Sequence, residues 1–137
     1  LIPRLFEMDP FTLFGTDYNT EDGTCVRDYI HVSDLALAHA KSCQALSEGA
    51  ATDYFNLGTN TGYSNQRVID VYHEIAGPKM IRKEGRRAGD PDELVADATK
   101  FQEKYNWQPH FSHLNTILND TMKWYEKSRI LNDTQTD

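Results

Sequence analysis

The sequence predicts an α/β fold. Short runs patterned as strands, at 26–32, 53–57, 80–83 and 93–96, alternate with segments patterned as helices, at 33–46, 64–76 and 112–125. Such alternation marks helices packed on a sheet. A turn, a strand and a helix start are packed into the stretch from Asp22 to Ala36, and the chain is organised around it. Asp22-Gly23 supplies the reversal, because Gly reaches the positive φ that a tight turn needs.

Each element has its own signal. Thr12 to Phe14 reads as a short strand between Pro10 and Gly15, while Leu1-Ile2-Pro3 gives no clear element. Val26 to Val32 reads as extended, with Ser33 or Asp34 capping the helix that follows and Gly49 closing it. The small side chains of Ala36, Ala40 and Cys43 give that helix a face for close packing. Asp53 to Leu57 reads as a strand, and 58–62 as a loop. Ser64 caps a helix whose Val68, Ile69, Tyr72, Ile75 and Ala76 recur at helical spacing, and Gly77-Pro78 stops it. Met80 to Lys83 and Glu93 to Ala96 extend again. Asp97 or Thr99 caps a short helix toward Tyr105. In the last helix, capped by Ser112, an apolar face runs through Leu114, Ile117, Leu118, Thr121, Trp124 and Tyr125. The reading is one domain over 1–129, with a disordered tail at 130–137.

Composition excludes several classes. The 137 residues amount to one domain, and a chain beginning with Leu reads as a fragment, a processed product or a partial record. A net charge of −7 argues against nucleic acid and anionic membrane as partners. Cys25 and Cys43 lack metal or redox spacing, which fits reduced thiols in the cytoplasm. No apolar run is long enough to span a bilayer. His110-x-x-His113 has no completing ligand, so no metal is expected. The loop at 58–62 lacks the Gly pattern of a phosphate cradle.

Arg27, read from the residues alone, is either half of a surface ion pair with Asp28 or a ligand contact. Arg86-Arg87 reads as a solvated pair, and Asp90-Pro91 as a turn. A longer pattern adds to this. The run Asp22-Gly23-Thr24-Cys25-Val26-Arg27-Asp28-Tyr29-Ile30-His31-Val32, continued by Asp34-Leu35-Ala36 and His39, resembles the signature of UDP-glucose 4-epimerases. Leu13-Phe14-Gly15, Tyr54-Phe55-Asn56-Leu57-Gly58 and Arg86-Arg87-Ala88-Gly89-Asp90-Pro91 follow the same family's order. These enzymes are extended short-chain dehydrogenase/reductases, and the resemblance covers their C-terminal, substrate-binding part.

The resemblance implies a site for a UDP-sugar. Arg27 and Arg87 would bind the diphosphate, since the guanidinium fork offers paired N–H donors. Asp90 would accept from the ribose hydroxyls. Leu13 and Phe14 would lie along the uracil, with backbone groups of Thr12 to Phe14 at its edge and Leu1 nearby. Tyr29 would sit near the sugar, Asn65 stands where the family usually places Val against the nucleotide, and Leu94 stands at the position that sets room for the sugar's substituents.

In the family, NAD takes and returns a hydride, which needs a Gly-rich turn and a Tyr-x-x-x-Lys pair. No Tyr here is followed four positions later by Lys. The expectation is therefore a chain with no catalytic or cofactor-binding residues of its own. Its partners would be a UDP-sugar and the missing N-terminal NAD-binding domain, within a full enzyme that can be a homodimer. The resemblance also puts the strand at 54–57 and the helix after Asp34 against a large parallel sheet that is not in this chain, so an unpaired edge and an uncovered helix face are expected to favour association or disorder. The alternative is a non-catalytic nucleotide-sugar-binding or protein-interaction module descended from an epimerase.

Overall fold

A computed structural model describes residues 1–133. Its elements, in order, are α1 (Ile2–Glu7), β1 (Phe11–Phe14), β2 (Val26–Arg27), α2 (Val32–Ser47), β3 (Tyr63–Ser64), α3 (Asn65–Ala76), β4 (Ile81–Glu84), β5 (Glu93–Leu94), α4 (Thr99–Tyr105) and α5 (Leu114–Asp133). Two small sheets form. In one, β1 pairs in parallel with β4, Phe11 opposite Ile81. In the other, β2 lies between β3, antiparallel, and β5, parallel.

The main core lies between α1, β1, α3 and α5. Leu5, Leu13, Val68, Ile69, Val71 and Leu118 are its fully buried members. Proline suits the first turn of a helix, where its missing N–H costs nothing, and Pro3 opens α1 in this way. This helix was not expected. A second cluster joins Ala38 of α2, Ala98, Phe101 of α4 and Trp107.

Several local expectations change. The stretch expected to be extended, Val26 to Val32, is strand only at Val26–Arg27, where β3 and β5 offer no longer edge. Helix α2 begins at Val32, and His31 caps it, its ring Nδ1 accepting from the N–H of Ser33 at 3.0 Å. Asp34 turns elsewhere, accepting from the N–H groups of His110 (2.9 Å) and Phe111 (2.8 Å) and from the Ser112 hydroxyl (2.6 Å). Ser112 thus bonds Asp34 and the His31 N–H and does not cap α5. In α2 the buried small residue is Ala38, whereas Ala36, Ala40 and Cys43 are exposed. Asp97 accepts from the Thr99 N–H one position ahead of the cap, which is Ala98. Trp124 is 63% exposed, so the apolar face of α5 reaches the core only through Leu114, Ile117 and Leu118.

Residues 53–57 form no strand. Phe55 and Leu57 still pack against the second cluster, so the apolar signal was genuine, but among the described residues no strand pairs with them to complete a ladder. Ser64 caps α3 as expected, accepting from the Arg67 N–H. Helix α5 continues through 130–133, the first half of the expected tail, and 134–137 lie outside the described residues. Among the described residues no helix is long and apolar enough to cross a membrane.

Candidate functional site

Three backbone features meet at one cleft of about 320 Å³: α1 with the strand β1 after it, the segment from Cys25 to Tyr29, and the loop between β4 and β5. Strand β1 is positioned by its ladder with β4, and Gly15, at φ +75°, turns the chain immediately after Phe14. A side chain at Gly15 would lie 2.1 Å from the Tyr18 ring, so Tyr18 folds directly over the glycine. The Arg86 guanidinium stands 4.3 Å above that ring and holds the Asp17 carboxylate at 2.8 Å. Hydrogen bonding to Arg86 keeps the Asp17 carboxyl below its usual range. With Arg86 fixed in this way, Arg87 comes to lie over Phe14, 3.9 Å from the ring centroid. Neither arginine is the freely solvated side chain that composition suggests.

Arg27 is the centre of the second wall. Its Nη1 donates to the carbonyls of Val26 (2.7 Å) and Pro91 (3.0 Å), and its Nη2 lies 3.7 Å from Asp90. The ion pair therefore runs to Asp90, not to Asp28. Asp28 accepts from the Thr59 N–H and hydroxyl and so fixes the loop at 58–62. Behind Arg27, the Tyr29 hydroxyl donates to Asn65 Oδ1 at 3.2 Å. Burial pushes the Tyr29 phenol up to about 12, so it stays a neutral donor.

The Asp22 turn connects this wall to α3. Gly23 has φ +78°, and a Cβ there would meet the Thr16 carbonyl oxygen at 2.4 Å. Asp22 accepts from Thr24 and Ser64, and the Thr24 hydroxyl in turn accepts from the Gln66 N–H at 3.0 Å. Burial works to raise the Asp22 pKa, but the hydrogen bonds from Ser64 and Thr24 outweigh it and hold the group below its ordinary value.

Nine of the ten residues expected at the site line this one cleft: Leu1, Thr12, Leu13 and Phe14 on one wall, Arg27, Tyr29 and Asn65 on the second, Arg87 and Asp90 on the loop. Leu94 stands apart, opposite Arg27 in the β2–β5 register and 61% exposed. Sequence reasoning missed Arg4, Met8, Phe11 and Cys25, which also line the cleft. For Arg4 and Met8 a signal existed, since Leu1, Arg4 and Met8 fall at i, i+3 and i+7 of a helix opened by Pro3.

No protein-family model matches the chain. The UDP-glucose 4-epimerase of Streptococcus mutans is 41% identical over 114 residues, 82% of this chain and 34% of that enzyme. A crystal structure of a UDP-glucose 4-epimerase superposes with a TM-score of 0.84 at 39% identity, over 90% of this chain and 38% of the other. The enzyme from Stenotrophomonas maltophila, crystallised with NAD and formylated UDP-arabinopyranose, gives 0.83 at 35% identity, over 93% and 38%. By fold the chain matches part of the extended short-chain dehydrogenase/reductases. Within that class its sequence and structure match the C-terminal part of UDP-glucose 4-epimerases, and it spans about a third of their length.

Proposed function

We propose that the cleft takes the uridine diphosphate portion of a UDP-sugar, as the substrate half-site of an epimerase that interconverts UDP-glucose and UDP-galactose. The observation that carries this reading is the meeting of Phe14, Arg27, Arg87 and Asp90 in one cleft from three separate parts of the chain. A nucleoside diphosphate needs cationic donors, a flat apolar surface and a carboxylate acceptor, and these four residues provide all three. Arg27 and Arg87 face the diphosphate and Asp90 the ribose. Leu13 and Phe14 lie along the uracil beside Leu1, with Thr12 at its edge. Tyr29 lies near the sugar and Asn65 against the nucleotide, and Leu94 would set the room for the sugar's substituents.

NAD is the cofactor of such an epimerase, supplying the hydride acceptor when bound. The residues present do not fit it. The one Gly-flanked loop before a helix, at 58–62, already gives its Thr59 N–H to Asp28 and is not free to cradle a pyrophosphate. We assign NAD binding and the acid–base pair to the rest of a parent enzyme, cytoplasmic and able to form a homodimer. The isolated chain binds substrate without turning it over.

Calorimetric titration of the chain with UDP, beside an Arg27→Ala, Arg87→Ala double variant, tests this. Hydrogen bonds to charged groups are each worth about 1.5–3 kcal/mol, so the variant loses at least about a hundredfold in affinity. A folded wild-type chain that does not bind UDP overturns the half-site and favours the interaction-module alternative.

A further inference from the structure

Helix α1 has two faces with different partners. Ile2 and Leu5 point into the main core, whereas Leu1, Arg4 and Met8 line the cleft. Arg4 lies on the helix itself, and Leu1 and Met8 flank it at its two ends. Arg4 is exposed, and no described residue forms a salt bridge or side-chain hydrogen bond with its guanidinium.

The cleft's other charges sharpen the point. Three guanidinium groups and one carboxylate line it. Asp90 lies 3.7 Å from Arg27, whose Nη1 also serves two carbonyls. Arg87 rests on the Phe14 ring and has no acidic partner among the described residues. Two guanidinium groups without a carboxylate partner among the described residues therefore remain in the cleft lining, Arg4 and Arg87. The diphosphate of a nucleoside diphosphate sugar carries two negative charges.

We propose that Arg4 is a third cationic contact of this cleft, placed by α1 to receive the anionic diphosphate of a nucleoside diphosphate. The inference rests on the half-site reading above and deepens it, because it divides the work of the arginines. Arg27, besides facing the diphosphate, holds the wall together through Asp90 and two carbonyls, while Arg4 and Arg87 add charge that no carboxylate offsets. A flexible arginine on a rigid helix reaches a phosphate oxygen without the cleft having to move. Asp90 stays available to a hydroxyl, since Arg27 already offsets its charge.

Calorimetric titration of wild type, Arg4→Ala and Arg4→Lys with UDP and with uridine, at low and at high salt, separates the possibilities. Arg4 is solvent-exposed and outside the core, and a thermal melt of each variant verifies that it folds. The expected result is a loss of about tenfold in UDP affinity for Arg4→Ala, a smaller loss for Arg4→Lys, no change for uridine, and a wild-type advantage that shrinks as salt rises. Equal UDP affinity in wild type and Arg4→Ala overturns the role of Arg4 and leaves the half-site standing. An equal loss for UDP and uridine also overturns it, showing that the side chain packs on the nucleoside. A wild-type chain that binds no UDP overturns both readings.

Discussion

Asp34 shows how much one buried carboxylate can tie together. It has no exposed surface, and its two oxygens accept from two backbone N–H groups and a hydroxyl on the segment that leads into α5. Burial works to raise its pKa, but the bonds from Ser112, His110 and Phe111, with His31 nearby, outweigh it and hold the group below its usual range. A depressed carboxyl adds stability that is present above the unfolded value, about 4, and is lost as pH falls through the lower folded value. Asp34→Ala leaves three donors unsatisfied, and we expect it to cost about 3 kcal/mol at pH 7 in denaturant titration. Between pH 5 and 3 the wild type should lose more stability than the variant. A variant as stable as wild type at pH 7 would refute the assignment. Residue identity alone did not reveal this role, because Asp in the first turn of a helix has an equally good local use in capping, and only the tertiary contact with 110–112 decides between the two.

Elements were most legible where their partners lie nearby in the chain. Helix α3 was read from its Ser64 cap, its apolar spacing and its Gly77 stop, all of which are local. Strand ladders depend on an edge supplied from elsewhere, and there the reading failed in one instructive case. Phe55 and Leu57 have the alternating pattern of a strand and bury partly against Phe101 and its neighbours, yet no backbone pairs with them. In hydrogen exchange, the Phe55 to Leu57 amides should therefore exchange within seconds to minutes near neutral pH, far faster than those of Val68 to Tyr72 in α3. Protection equal to that of α3 would refute this by showing that these amides are hydrogen-bonded in a ladder. The cleft residues were legible for a different reason: Arg27, Arg87 and Asp90 came from a resemblance in motif order. Arg4, which belongs to no such motif, came only from the placement of α1.

Taken as a whole, the molecule leaves apolar surface without cover. Val32 is 72% exposed and Tyr54 87%, and a second hollow of about 740 Å³ runs beside His31 between the start of α1 and the exposed Trp124 of α5. Surfaces of this kind are usually closed by another body. We expect the isolated chain to self-associate, so that its melting midpoint rises with protein concentration. A cooperative melt independent of concentration over two decades would rule this out.

The bond from Arg27 to Pro91 spans 64 residues of sequence, and the β1–β4 ladder sets Phe11 against Ile81. Loop closure on this scale must be met before the contacts return any stability. The cleft's walls come from distant parts of the chain, so the site is complete only when those long-range contacts are all made.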